Sequence, residues 1–300
     1  MSWISGRIQQ FQRESRKRRI AAWMPQLQEA QRHLYAARVA GAADPFRSLL
    51  KAERIMDGLS AASSSGSRGE AGQLLLRSPA LTLLLDSRHG GRLLELSDKR
   101  AERNLIETGW TEHLLGERST VREFAQGRAA ELSDLPGAPF EGGLKEERGA
   151  VAATLRRKVQ LGRGRKGVPL QIEKSVRLPS QGRRVIFSHE LKNGSSRQVN
   201  FLFVTEMTLA LKDAHVNRLG EAPGVRRFAV LDPAARLQLS WAFSRPARLW
   251  YFPLETGSGA DRAYRGVKLA GVWPVKLSAR GAWRLRWELK VEDPSGWKRQ

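Results

Sequence analysis

Cysteine is absent from all 300 residues, which excludes disulfides, thiolate metal sites and cysteine nucleophiles together and leaves packing as the source of stability. A reducing, cytoplasmic setting fits that absence. No apolar run approaches the roughly 18 residues that a membrane helix needs. The N-terminus places Arg16-Lys17-Arg18-Arg19 after polar residues rather than ahead of an apolar stretch, so neither a leader nor a span is expected. Histidine is scarce too: His33, His89, His113, His189 and His215 are scattered without paired ligand spacing. No Gly-x-Ser-x-Gly elbow occurs. We therefore expect no metal, no cofactor and no nucleophilic site.

Acidic residues are outnumbered, 30 against 52 Lys and Arg, for a net charge of +22. Such an excess ordinarily points to nucleic acid or an anionic surface as partner. Arginine predominates over lysine, however, beside many Ala, Leu and Gly, which is what GC-rich coding produces without selection for a partner. A solvated surface and a polyanion groove thus both remain open readings. The best basic patch is Arg156-Arg157-Lys158 with Arg163, Arg165 and Lys166 downstream. Its Gly162-Arg163-Gly164-Arg165-Lys166-Gly167 string matches dinucleotide-binding spacing, but Pro169 blocks an orderly helix start and the stretch reads as a loop.

What is present first is helical periodicity. Ile20, Trp23, Leu27, Ala30, Leu34 and Ala37 recur at spacings of three and four, with Pro25 interrupting the run. Asp44 and Pro45 then open a second helix carrying Phe46, Leu49, Leu50 and Ile55 along one side. Residues 1–59 read as a helical hairpin, and 60–72, a Ser/Gly-rich stretch with almost nothing apolar, as a flexible linker.

Beyond the linker the period changes to two. Leu74 to Asp86 and Arg92 to Leu96 flank a Gly90-Gly91 reversal, and Val185 and Phe187 lead into Asn193-Gly194, a strong hairpin signal. Val199 to Leu211 is apolar on both faces, as a central strand would be. Leu237, Leu239, Trp241 and Phe243, and later Trp283, Leu285, Trp287, Leu289 and Val291, alternate with polar residues, giving one dry face and one wet one. The expected fold is mainly β, a large antiparallel β-sandwich over 73–293 with a tail at 294–300. Residues 111–166, charged and weakly periodic, read as helical excursions or loops.

Read in order, several segments resemble the C-terminal domain of family 57 glycoside hydrolases, the α-amylase and 4-α-glucanotransferase group. They are Leu81-Thr82-Leu83-Leu84-Leu85-Asp86 with Leu93-Leu94-Glu95-Leu96, Asn104 to Thr108, Asp134 to Glu141, Ile172 to Leu178, Thr205 to Leu211, and Leu249 to Gly266. More weakly, Arg47 to Glu53 resembles the end of the helical bundle that joins barrel to sandwich in those enzymes. The resemblance implies a galactose mutarotase-like supersandwich that packs on a glycosidase barrel and is associated with carbohydrate. It implies no catalysis in this sequence, because the family's paired carboxylates belong to the barrel, which has no counterpart here. The chain departs from the pattern after Leu211, where Lys212 to Arg218 replaces a glycine-rich loop.

Among the acids, Glu206 and Glu255 sit in apolar, strand-like sequence where an ionised carboxylate is costly unless paired, so an ion pair with arginine competes with a catalytic reading. Six of the nine tryptophans fall between 241 and 297. The period-two spacing assigns Trp241, Trp283 and Trp287 to the core, while Trp250, Tyr251 and Trp273, beside Pro253 and Pro274, are candidates to face a sugar or a neighbouring domain. Trp250, Tyr251, Trp273, Glu206 and Glu255 therefore form the candidate carbohydrate-binding or domain-contact set, with no catalytic residue assigned. The expected function is a non-catalytic accessory or carbohydrate-binding protein of α-glucan metabolism that pairs with a separate barrel chain; the alternative is a basic β-sandwich that binds nucleic acid or an acidic protein.

Overall fold

The computed structural model describes residues 65–68, 72–162, 167–211, 218–233, 235–256 and 263–294. The expected helical hairpin, most of the linker and tail, the Lys212–Asn217 departure, and Arg163, Arg165 and Lys166 lie outside the described residues. No helix among the described residues is long and apolar enough to cross a membrane.

The described chain is almost entirely antiparallel sheet. Its strands are β1 (Ser65–Arg68), β2 (Gln73–Arg77), β3 (Leu81–Asp86), β4 (Arg92–Asp98), β5 (Arg103–Asn104), β6 (Ile106–Leu115), β7 (Glu141–Glu147), β8 (Ala150–Leu161), β9 (Val168–Pro179), β10 (Arg184–Asn193), β11 (Val199–Leu209), β12 (Gly220–Asp232), β13 (Leu237–Thr256), β14 (Ala263–Leu277) and β15 (Ala282–Glu292). One short helix, α1 (Val121–Ala125), is capped reciprocally by Thr120 and Glu123. All the strands join one sheet, thirteen of them in the order β1-β2-β3-β4-β6-β11-β14-β13-β15-β10-β9-β8-β7, with β12 paired to β13 and β5 to β4 off that path.

The long β13 turns that single sheet into a sandwich. Its C-terminal half, Arg248–Thr256, pairs with β14, while Gln238–Phe243 pairs with β15, so the strand belongs to one layer at each end and bends between them. At the far ends the layers meet again, where Gly66 of β1 packs so closely on Leu144 and Val151 that a side chain there would clash. The result is the expected β-sandwich, nearly closed on itself.

Alternation explains the core. Trp283, Leu285, Trp287, Leu289 and Val291 of β15 all point inward and are buried, as are Phe201, Phe203, Met207 and Leu209 of β11 from the other layer. Phe187 and Trp287 stack with ring centroids 3.9 Å apart. β11 lies between β6 and β14 and is apolar on both faces because both are covered: Leu202 and Val204, on the outer side, join Leu115, Trp250, Ala270 and Val272 under Val121 and Phe124 of α1.

Three expectations need correction. The run from Leu74 to Asp86 is two strands, because Pro79 lacks an N–H and the Ser78 hydroxyl accepts from the Leu81 N–H (3.0 Å) instead, closing a tight turn. Residues 111–166 hold long strands, the end of β6 and then β7 and β8, whose outward charges masked their alternation. Asn193-Gly194 is no hairpin turn. β10 is already paired on both edges, by β9 and β15, so β11 has to cross to the other layer. The Asn193 amide fixes that crossing by donating to the carbonyls of Arg197 (2.7 Å) and Ser278 (3.0 Å). In addition, four residues of the segment read as a linker form β1, since strand pairing with β2 uses backbone groups and needs no apolar side chains.

Candidate functional site

The sequence-chosen residues do not converge. Glu206 lies on the outer face of β11, and Glu255 near the end of β13; their partners on β14 are Ala270 and Tyr264. Six positions along a strand separate the two carboxylates by about 20 Å, whereas retaining glycoside hydrolysis needs roughly 5 Å and inverting no more than about 9.5 Å. Glu255 is exposed. Glu206 is mostly buried, with its carboxylate 2.9 Å from Lys268 Nζ and 3.8 Å from His113 Nε2, so its partners are a lysine and a histidine rather than an arginine. Burial pushes the Glu206 carboxyl up, but His113 and Lys268 outweigh it and hold the group below the usual glutamate range. A general acid needs the opposite shift. His113 also meets Glu131, and although burial lowers its pKa, the two carboxylates raise it to about 9.

The aromatic candidates fill space inside the protein. Trp250 is fully buried beneath Phe124 of α1 and donates its indole N–H to Glu221 (3.0 Å). Trp273 is buried too, lying over Gly271, and donates to the Arg245 carbonyl (3.3 Å). Neither offers a ring face to a sugar. Their place beside a proline misled because β13 and β14 continue through those prolines as strands. Tyr251 is half-buried and packs on the main core. Trp241, Trp283 and Trp287 are core, as their spacing requires.

The described half of the basic patch, by contrast, lines an open cleft of about 460 Å³ formed by Pro139, Glu141, Arg156, Arg157, Lys158 and Gln171. The hairpin of β8 and β9 supplies the floor, with Arg156 opposite Glu173 and Lys158 opposite Gln171. The two arginines are already matched: Arg156 Nε lies 2.6 Å from Glu173, and Arg157 donates to Asp134 and to the Pro139 carbonyl, both at 2.8 Å. Among the described residues, what remains is a nearly charge-balanced wall of donors and acceptors. Such a surface suits a polyhydroxylated neutral ligand better than a phosphate chain, which needs uncompensated cations.

Sequence reasoning missed a polar cluster in the middle of the core. Lys174 of β9, fully buried, forms an ion pair with Glu112 of β6, donates to the Trp110 carbonyl (2.9 Å) and lies 4.2 Å from the centre of the Trp110 ring. His189 of β10 places Nε2 3.0 Å from Glu112 and 3.0 Å from the Trp110 indole nitrogen, while its Nδ1 has no partner. Burial lowers the pKa of Lys174 and of His189 despite the Glu112 carboxylate. A signal existed: Lys174 shares the inward face of its strand with Ile172 and Val176, His189 with Phe187 and Leu191, and Glu112 with Trp110 and Leu114. Trp110 reaches the cluster through a bulge opposite Glu206 and Met207, with φ of 55°. Because β6 lies in one layer and β9 and β10 in the other, the cluster cross-links the sandwich. No group of three or more His, Asp or Glu among the described residues could hold a metal ion.

Residues 109–287, more than half of the chain, match the family model described as alpha-amylase/4-alpha-glucanotransferase, C-terminal. No curated protein matches the chain by sequence. Among solved structures it is similar to the 4-alpha-glucanotransferase of Thermococcus litoralis, with a TM-score of 0.70 and 16% identity over 96% of this chain and 49% of that one. The chain therefore spans about half the length of that enzyme. A galactose mutarotase-like protein of Clostridium acetobutylicum superposes with a TM-score of 0.55 at 8% identity, covering 78% of this chain and 99% of its own. One from Lactobacillus casei gives 0.53 at 9% identity, over 74% and 100%. At such identities the structural likenesses establish the fold alone.

Proposed function

Because the chain belongs to the alpha-amylase/4-alpha-glucanotransferase C-terminal family, we propose that it is a non-catalytic accessory protein of α-glucan metabolism that holds glucan in the cleft over β7, β8 and β9. The observation that carries this reading is the charge pairing there. With Arg156 and Arg157 matched by Glu173 and Asp134, the groups left to a ligand are Lys158, Gln171 and Glu141, donors and acceptors at the spacing of neighbouring strands. Vicinal hydroxyls of a glucose unit pair well with such a set. Catalysis in this role falls to a barrel supplied outside these residues, for which the outer face around Glu206 and α1 is the docking surface. Cytoplasmic residence follows the same reading.

Affinity electrophoresis in a glycogen-containing gel tests it. The wild-type chain is expected to be retarded relative to a glycogen-free gel, and Lys158→Ala with Gln171→Ala to restore most of the mobility while the thermal unfolding midpoint stays unchanged. Equal wild-type mobility in the two gels would overturn the proposal.

A further inference from the structure

The bend of β13 gathers arginines that meet no carboxylate. Arg226 of β12 donates to the Ser244 carbonyl (3.3 Å), the Arg286 backbone N–H donates to the Ser244 hydroxyl (3.0 Å), and Arg245 donates to the Arg284 carbonyl (2.8 Å) while lying 5.7 Å from the Trp283 ring centre. Arg227, paired in register with Ala242, and Arg248, paired with Val272, flank this group. All five side chains are exposed. Among the described residues none of Arg226, Arg227, Arg245, Arg248 and Arg286 is in an ion pair, whereas Arg100, Arg103, Arg156, Arg157, Arg177 and Arg183 each are. Exposed arginines without an ion pair are poised for a negative partner.

A second observation comes from the backbone. Among the described residues β12 pairs only with β13, which leaves its other edge unpaired. The first half of that edge is blunted by Pro223, Gly224 and two register shifts, the usual protection of an edge strand. The second half is not. From Arg227 to Asp232 the ladder to β13 runs without a break and contains no proline. Phe228 and Val230 pack toward the core, so Arg227, Ala229 and Leu231 face outward. Leu231 and Leu219, the two exposed large hydrophobics among the described residues, bracket the strand.

We propose that the free edge of β12 from Arg227 to Asp232 takes an extended acidic segment of a partner protein as an added strand. The backbone would pair with β12, and the acidic side chains would meet Arg226, Arg227 and the arginines of the bend. Nucleic acid supplies the charge but no strand-forming amide backbone, so it matches only one of the two features.

The test uses the full chain and a fluorescein-labelled octapeptide of alternating glutamate and valine, read by fluorescence anisotropy. Methylation of alternate peptide nitrogens keeps the charge and removes the strand-pairing donors. Binding of the plain peptide is expected, weakened about tenfold by that methylation and by a similar factor in Arg226→Glu/Arg227→Glu. Arg227→Glu alone, at an exposed position, gives a smaller loss and guards against misfolding of the double variant. No binding of the plain peptide, equal binding of the methylated one, or tighter binding of oligothymidylate would each overturn the proposal.

Discussion

Two clusters in this molecule use the same three residue types and shift their histidines in opposite directions. In the core, Glu112 faces Lys174 and His189, and burial lowers the pKa of both bases despite that carboxylate. On the outer face Glu206 faces Lys268 and His113, but Glu131 contributes a second carboxylate and the edge of the cluster reaches solvent, so His113 rises to about 9. Desolvation acts on both histidines in the same direction. The deciding difference is the number of carboxylates per cation and the access to water.

The comparison breaks most sharply if the inner lysine is removed. Lys174→Ala removes the ammonium that faces Glu112 in the core, leaving only His189 beside that carboxyl, and should cost about 3–5 kcal/mol, seen as a lower urea midpoint at constant slope. Lys174→Met combined with Glu112→Leu should recover most of that loss. A double variant as unstable as the single one would show that packing rather than charge is at issue.

The outer cluster sharpens the contrast through pH. A raised imidazole pKa stabilises the fold fully below about 6.5 and loses that contribution as pH rises through about 9. Wild type minus His113→Ala should therefore show a difference on the order of 2–3 kcal/mol at pH 6 that fades by pH 10. Glu206, held low, adds stability above its unfolded value of about 4.5 that is lost as pH falls further. His189 has the reverse sign from His113, because a buried imidazole with a lowered pKa destabilises the fold as pH drops below its unfolded value. An NMR titration checks both: one imidazole should titrate near 9, and the other should stay neutral well below 6.5. The smallest effect belongs to an exposed pair. Arg156→Ala, at the rim of the cleft, should shift stability by no more than about 0.5 kcal/mol.

The dry face of β15 was legible from Trp283 to Val291 because five inward positions alternate with four outward polar ones, and nothing about the partner strand is needed to read that. The central place of β11 was legible for the opposite reason, since Val199 to Leu211 is apolar on both faces. The Asn193-Gly194 signal misled because a turn dipeptide specifies local backbone shape, not which strand still has a free edge. Lys174, Glu112 and His189 stood at inward positions of readable strands; they were passed over because each charge looked costly alone, and their partners lie 62 or more residues away. The basic patch was seen as charge, but the carboxylates that cancel it come from β9 and from the turn before β7.

Composition and alternation by themselves determined that this chain forms antiparallel strands around an apolar core and relies on no disulfide, since side-chain period and the absence of thiols are properties of the string. The tertiary structure decided which charges are cancelled and which are free. For the arginines of the bend, that outcome depends on the long β13 passing from one layer to the other, which brings Arg226 and Arg245 beside Arg286 with no ion pair among them; for Arg156 it depends on the register of β8 on β9, which sets it opposite Glu173. Coulomb energy depends on distance in space, and no local pattern encodes that distance.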